Sequence, residues 1–405
     1  MKKINLPLQI LIALALAVVF GSFFPQLVKY TNWMGDIFLK LLKMIVIPLI
    51  LTSIISGVSN LGEAKNIGRL GLKTMGYYVL TSTLAIVTGL LAVNIIKPGK
   101  ITDVSIVETK EKLVEVKGSI GDTLMNIVPE NIFDALTNNN GVLSIIFIAI
   151  VFGYFINKLD ADKRATLNSI VNSSFELIMK VTLFIIKFTP LGVFGIVAKV
   201  MAENDILVLC TTMGWYMLTV ILALAVHAFF SLPMILVFLA KVFPFKFFSK
   251  MSSPLLTAFS TSSSNATLPL TMETIEKKVG VSNKVTSFTL PLGATVNMDG
   301  TALYECVATI FIAQCYNIDL SLSTQIVIVI IALLTSIGAA GIPMAGMFMI
   351  TVILQAVGLP LEGVGIILAV DRILDMFRTA TNVWSDSCGA ILIANSEGEK
   401  VLKYK

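Results

Sequence analysis

Two stretches concentrate the polar groups of an otherwise apolar chain, and their residue types suit the holding of charged species more than bond-making chemistry. The first runs from Pro291 to Gln314, PLGATVNMDGTALYECVATIFIAQ, and is broken at its middle by Asn297-Met298-Asp299-Gly300. In a bilayer no water reaches unpaired backbone groups, so a plain spanning helix has little reason to carry this tetrapeptide. An aspartate at mid-depth costs roughly 2.5–3.5 kcal/mol even on lenient insertion scales, and Gly300 adds helix-breaking freedom beside it. The physical reading is a helix that unwinds at the midplane and turns carbonyl oxygens and one carboxylate toward a bound cation. The alternative is a kinked helix whose Asp299 pairs with a neighbour. The second stretch, AVDRILDMFRTATNVWSD, lies in the last apolar segment. At about 100° per residue, Asp371, Asp375, Arg378, Asn382 and Asp386 fall within roughly 80° of one another. Such a face cannot meet lipid; it lines a cavity, or its charges pair among themselves. Burying an Asp375–Arg378 pair for structure alone gains little over an apolar pair, which favours the cavity.

The composition says what must position these groups. Of 405 residues, 56% are hydrophobic and only 14% charged. A soluble domain carries about 25% charge, so this chain cannot cover a water-facing surface. Several apolar runs reach the roughly 20 residues that span a bilayer. The fold class is therefore an all-α polytopic membrane protein. The net charge of +5 comes from lysines near helix ends and points to no nucleic-acid partner. Cys210, Cys306, Cys315 and Cys388 show no CxxC spacing, so they are expected to pack as small hydrophobes without a disulfide framework or zinc site. The single His227 excludes any histidine-pair metal motif; a buried, hydrogen-bonded helix histidine is expected. No G-x-S-x-G, H-E-x-x-H or G-x-x-x-x-G-K-[ST] motif occurs, so the chain is read as a non-enzyme.

Lys2 and Lys3 place the N-terminus in the cytoplasm, ahead of a retained first span at about 5–25. Further spans are expected at about 34–58 and 74–96, in a broken element at 119–157, at 165–200 with a kink near Pro190, and at 206–240. Lysine and arginine favour the inside at each short loop. After Lys250 the pattern changes. Residues 252–280 hold an apolar stretch too short to cross, interrupted by FSTSSSNATLP, and read as a hairpin re-entering from the cytoplasmic side. A broken crossing helix, 283–316, follows. Residues 322–360 are interrupted by SIGAAGIPMAG and read as a second hairpin dipping from outside, before the last helix at about 364–394. Two facing hairpins, each followed by a polar-interrupted helix, form an inverted repeat around a midplane site.

The stretches SSSNATLP (262–269), LPLGATVNMDGTALYE (290–305), SIGAAGIPMAG (336–346) and DRILDMFRTATNVWSDS (371–387) resemble the dicarboxylate/amino-acid:cation symporters, the glutamate transporters, in family order over nearly the whole chain. The resemblance implies eight transmembrane helices plus two re-entrant helical hairpins with inverted repeats, a homotrimer, and an elevator motion. It divides the chain into scaffold at 1–73 and 119–205, and transport domain at 74–118, 206–244 and 245–405. It implies an inner-membrane protein with both termini cytoplasmic, no organic cofactor, and sodium co-transported with an acidic amino acid.

By position, Arg378 resembles the residue that pairs with the substrate side-chain carboxylate, and Asp375 the acceptor for its ammonium. Ser263, Ser264, Thr301, Thr379 and Asn382 resemble the groups around the α-carboxylate, with Gly341, Ile342 and Gly346 in the hairpin closing over it. One sodium set resembles carbonyls of Gly293, Asn297 and Asn382 with the Asp386 carboxylate. A second resembles carbonyls of Thr295, Met298, Ser336, Ile337 and Ala339. The third resembles Tyr78, Thr81, Ser82, Asn297 and Asp299. All-oxygen sets suit a hard cation. Three departures stand out. Ser262 and Met376 occupy positions where relatives carry a second arginine, and Arg372, one turn before Met376, is placed to substitute. Ser385 replaces a usual glycine beside Asp386. Glu305 stands where the animal transporters place a proton-linked glutamate and is the candidate proton-coupling residue; the alternative is a protonated packing residue with no role in coupling. Arg378 argues against a neutral amino-acid exchanger and Asp375 against a C4-dicarboxylate carrier; an anion channel is the reading from a different class, with no ring of pore residues to support it.

Overall fold

The computed structural model describes residues 6–65, 69–101, 128–137, 142–203, 206–338, 345–399 and 401. Helix is the regular structure throughout these residues, with no strand. That is what lipid imposes, since a helix satisfies its backbone internally. The chain begins with α1 (Leu6–Phe23), α2 (Asn32–Lys65) and α3 (Arg69–Ile96). The short α4 (Ile132–Thr137) precedes α5 (Val142–Ile156), α6 (Ala161–Ile186) and α7 (Thr189–Glu203). Helix α8 starts as Ile206–Val226 and is carried on to Ala240 through two π-turns, His227–Ser231 and Leu236–Ala240. After α9 (Pro244–Lys250) come α10 (Ser252–Thr261) and α11 (Ser264–Thr274), then α12 (Asn283–Val296) and α13 (Asp299–Cys315). The chain closes with α14 (Leu322–Gly338), α15 (Ala345–Ala356) and α16 (Val364–Ser396).

Among the described residues, Asn32–Ser59, Arg69–Lys100, Ala161–Ile186 and Leu207–Ala240 are long and apolar enough to cross a membrane; α1, α5, α7, α14 and α15 are apolar but shorter. The interruptions fall close to the expected points. Ser262 closes α10 in the left-handed region at φ 51°, and Ser263 caps α11 by accepting from the Ala266 amide. The centre of the second interruption, 339–344, the polar stretch 103–117 and Asn138–Asn140 lie outside the described residues, as do Lys2 and Lys3.

Two expectations are corrected. The segment 165–200 is not one helix kinked at Pro190: α6 ends at Ile186, and α7 begins at Thr189, with Pro190 in its first turn. A proline there forfeits no hydrogen bond, so it starts a helix instead of bending one. The break in the first polar stretch covers only Asn297 (φ −99°, ψ 74°) and Met298 (φ −105°, ψ 59°). Asp299 and Gly300 are already the first turn of α13, where the helix dipole favours a carboxylate. Gly300 serves close packing: a Cβ there would sit 2.7 Å from the Arg378 carbonyl oxygen.

Packing sorts the helices into two groups. Helix α2 lies against α5, α6 and α7, and α1 against α7. Helix α13 is enclosed by α3, α8, α14, α15 and α16, while α16 also packs on α10 and α12. Every residue of α13 is buried. A helix apolar on all sides belongs in a core, and here it carries Asp299, Glu305 and Gln314 into that core. At one end of α16 a polar clasp ties three elements. Lys73 and Arg69 of α3 hold the Glu397 carboxylate at 2.6 and 3.1 Å, while Glu399 accepts from the Ser282 amide and hydroxyl at the start of α12.

Candidate functional site

The unwound Asn297-Met298 link brings α3, α8, α12, α13 and α16 to one point. Asp299 is wholly buried. Its Oδ1 accepts from Ser82 Oγ at 2.6 Å; its Oδ2 accepts from Ser385 Oγ at 2.5 Å and lies 3.1 Å from His227 Nε2. Asn297 donates through Nδ2 to Ser385 Oγ (3.0 Å) and to Asp386 Oδ1 (2.9 Å), and accepts at Oδ1 from Thr81 Oγ1 (3.1 Å). Gly293 gives Asp386 room, because a Cβ would collide with its carboxylate and approach the Tyr78 hydroxyl to 2.8 Å. Thus Thr81, Ser82, Gly293, Asn297, Asp299 and Asp386 converge. Tyr78 borders the cluster, but its hydroxyl donates to Thr289 O at 2.6 Å. The remaining expected set is not joined in this way. Thr295 is exposed with its hydroxyl turned back to Leu292 O, Ser336 is buried on Leu333 O, and Met298 is buried at the link. Ile337 belongs to the last turn of α14, and Ala339 lies outside the described residues.

A second cluster sits farther along α16. Arg378, 1% exposed, donates through Nη2 to Asp371 Oδ1 (3.0 Å) and Asp375 Oδ1 (2.9 Å). Its guanidinium carbon lies 3.8 Å from the ring centroid of Tyr304, whose hydroxyl donates to Asp371 at 2.7 Å. Arg372, less buried, is 3.7 Å from Asp375 Oδ2. Among the described residues Arg378 Nε and Nη1 have no protein acceptor. Gly346 faces this edge: a Cβ would stand 2.7 Å from Nη1 and 3.3 Å from Thr301 Cγ2. Thr301, Arg378 and Gly346 therefore meet, and Asp375 stands beside them. Asn382 joins the two clusters by accepting from the Gly300 amide (2.8 Å) and donating to Thr301 Oγ1 (3.2 Å). Ser264 and Thr379 are buried, Ser263 is the α11 cap, and Gly341 and Ile342 lie outside the described residues.

Glu305, one turn along α13 from Thr301, is wholly buried; its Oε2 lies 3.0 Å from Thr335 Oγ1, and Oε1 has no partner among the described residues. The balance of charge is uneven. Among the described residues five carboxyl groups, Asp299, Glu305, Asp371, Asp375 and Asp386, are buried against one guanidinium, Arg378. Buried anions require pairing, so cations or protons complete this site.

Sequence reasoning left four participants without their roles. Asp371 lies on the polar face of α16, but its partner Tyr304 is set by tertiary packing. His227 is buried and hydrogen-bonded as expected, and its partner is Asp299. Ser385 is bound to Asp299 as well as lying next to Asp386. Of the cysteines, Cys306, Cys315 and Cys388 are buried, whereas Cys210 is exposed.

Comparison with known proteins matches residues 6–396 to the model of the sodium:dicarboxylate symporter family. A proton/sodium-glutamate symport protein of Geobacillus stearothermophilus is 37% identical over 98% of this chain and 96% of its own. Excitatory amino acid transporter 3 of Oryctolagus cuniculus is 34% identical over 95% of this chain and 84% of its own. The proton/glutamate-aspartate symporter of Escherichia coli is 33% identical over 100% and 96%. With a matched span that covers both polar clusters and every helix around them, the chain belongs to the sodium:dicarboxylate symporter family.

Proposed function

We propose that this protein is a secondary active transporter that carries acidic amino acids, L-aspartate or L-glutamate, into the cell together with sodium. The observation that carries the reading is Arg378, a buried guanidinium with two donor nitrogens, Nε and Nη1, that no acceptor among the described residues uses, facing the small residue Gly346. A planar fork of this kind suits a carboxylate in a bidentate pose. The side-chain carboxylate of the substrate takes the Nη1–Nη2 edge as Asp375 loosens from Nη2, and the substrate ammonium takes Asp375. Thr301, Thr379, Asn382, Ser263 and Ser264 surround the α-carboxylate, and the segment holding Gly341, Ile342 and Gly346 closes over it.

Sodium is the second cargo. One ion takes Thr81, Ser82, Asn297 and Asp299 beside Tyr78; another takes Asp386 with the carbonyls of Gly293, Asn297 and Asn382; a third forms at Thr295, Met298, Ser336, Ile337 and Ala339. Hydroxyl, carbonyl and carboxylate oxygens make a hard-cation set. Neutralising Asp299 and Asp386 removes repulsion between them and an anionic substrate, so each cargo favours the other. A proton is the third. Thr335 has one hydroxyl proton and lies 2.8 Å from Ile331 O as well as 3.0 Å from Glu305. When Thr335 donates to that carbonyl, a proton on Glu305 completes the chain, and this supports Glu305 as the proton carrier.

The packing supports a scaffold of residues 1–73 and 119–205 and a transport domain of 74–118 and 206–405 that shifts as an elevator, with eight crossings and two re-entrant hairpins. Exposed Leu167, Ile170, Leu177, Leu183 and Phe184 on α6 suit a homotrimer contact within lipid. The protein then sits in the plasma membrane with both termini cytoplasmic. Uptake of radiolabelled aspartate into proteoliposomes under a sodium gradient tests the reading. Unlabelled aspartate and glutamate are expected to compete, and serine, alanine and succinate to have little effect. Competition by serine or alanine without aspartate, or uptake indifferent to sodium, overturns it.

A further inference from the structure

We infer that Ser385 and His227 form a clamp on the back of Asp299, holding one carboxylate oxygen closed and the other aimed at the incoming cation. The inference rests on the reading of Asp299 as a sodium ligand and adds two positioning residues. The two oxygens of Asp299 have different neighbours. Oδ1 meets Ser82 Oγ, on α3 next to Thr81, which binds Asn297 Oδ1; hydroxyls and an amide oxygen can turn lone pairs toward a cation. Oδ2 meets Ser385 Oγ and His227 Nε2. A ring nitrogen bearing a proton has no lone pair for a metal. His227 Nδ1 is buried without a partner among the described residues, so the neutral ring with its proton on Nε2 leaves no buried donor unmet. Ser385 is committed in the same direction. Asn297 Nδ2–H occupies a lone pair of its oxygen, so the Ser385 proton goes to Oδ2.

Ser385 also sets the amide of Asn297. Both Nδ2 protons find acceptors on the α16 side, Ser385 Oγ and Asp386 Oδ1, which leaves Oδ1 turned to Thr81 on α3. One hydroxyl thereby orients two oxygens of the cation set. The backbone is built around this contact. His227 opens a π-turn, a rare local structure that is frequent at functional sites. Its neighbour Ala228 accepts from Trp384 Nε1 at 3.0 Å, beside Ser385, and Trp384 stacks on Phe247 at 4.9 Å. The two halves of the clamp are thus bolted together by adjacent residues.

Outer-sphere donors of this type typically change metal affinity 10–100-fold when removed. The test titrates sodium, with choline balancing ionic strength, against the intrinsic tryptophan fluorescence of the full chain in lipid nanodiscs. Ser385→Ala and His227→Leu are each expected to raise the half-saturating sodium concentration about tenfold or more. Ser385→Thr and His227→Gln keep a donor and are expected to stay within about threefold of the parent. At saturating sodium, aspartate affinity in all four should return close to the parent value, which a general loss of structure would not allow. Ser385→Gly is read beside Ser385→Ala, with melting in choline reporting the fold of each. Unchanged sodium titration in Ser385→Ala and His227→Leu, or equal loss in the donor-keeping variants, overturns the clamp. Asp299→Asn separates the two levels: if it also leaves the sodium titration unchanged, the cation reading of Asp299 fails; if it alone abolishes the response, only the clamp fails.

Discussion

Replacing Arg378 by glutamine removes the only guanidinium that is fully buried among the described residues, and two consequences can be sized separately. The first concerns the fold. Asp371 and Asp375 each lose a buried partner, at 3.0 and 2.9 Å, and removing one partner of a buried ion pair costs about 3–5 kcal/mol. Tyr304 still donates to Asp371 and Arg372 stays 3.7 Å from Asp375, so the loss should sit toward the lower end. The second concerns the substrate. A charge-assisted hydrogen bond contributes about 1.5–3 kcal/mol, and a fork that makes two such bonds places the loss of aspartate affinity at roughly 100-fold or more. The assay is inhibition of radiolabelled substrate uptake by aspartate and by alanine, with melting temperature measured alongside. Arg378→Gln is expected to melt lower, to lose aspartate by about two orders of magnitude, and to lose far less affinity for any side chain without a carboxylate. Adding Asp371→Asn should recover much of the stability, since one orphaned anion is gone, but none of the aspartate affinity. If aspartate inhibits Arg378→Gln within about threefold of the parent, the carboxylate role is wrong. If the double variant regains aspartate affinity as well as stability, the arginine acted only through the fold.

Glu305→Gln should flatten the pH dependence of uptake across neutral pH while leaving sodium dependence in place, because the amide keeps the contact with Thr335 without carrying a proton; an unchanged pH profile removes the proton role. At the end of α16, hydrogen bonds from Lys73 and then Arg69 hold the Glu397 carboxyl down at about 2, below its ordinary 4.5. A depressed value means that the stabilisation is complete above about pH 4.5 and is lost as pH falls through about 2. The parent should therefore melt above Glu397→Gln at neutral pH, with the two melting curves drawing together toward about pH 2; a gap that persists there refutes the clasp.

Much of the helix pattern was legible because lipid leaves few options. Among the described residues the stretches of sufficient apolar length are helix, and Ser262 and Asn297 stand at breaks. The misplacements share one cause. Pro190 and Gly300 were read as local breakers, yet proline is harmless in a first turn, and Gly300 answers to the Arg378 backbone some eighty positions away. Site residues divide along the same line. The face Asp371–Asp386 follows from helical periodicity alone. That Ser82 would touch Asp299, 217 positions apart, came through family resemblance, because periodicity says nothing about which helices adjoin. The contacts of Ser385, His227 and Tyr304 were reachable by neither route, since each depends on one rotamer within a particular packing of three helices.

If the two clusters hold the two cargoes as proposed, the arrangement explains why coupling needs little motion between them. Arg378, Asn382 and Asp386 follow one another at four-residue steps on the rigid helix α16, so substrate and ion groups cannot move apart along it. The non-helical part is the two-residue link, Asn297 and Met298, between α12 and α13. Asn382 grips the far side of that link through the Gly300 amide and the Thr301 hydroxyl, while Asn297 grips the near side through Ser385 and Asp386. On the proposed assignment of the ion site, an ion at Asp299 and Asn297 fixes the first turn of α13, and with it Thr301 and Asn382 beside Arg378. Sodium thus prepays the ordering that the substrate would otherwise have to supply, and linkage requires the substrate to raise sodium affinity by the same factor. On that assignment the coupling runs through two asparagine side chains, Asn297 and Asn382, across one break in a helix.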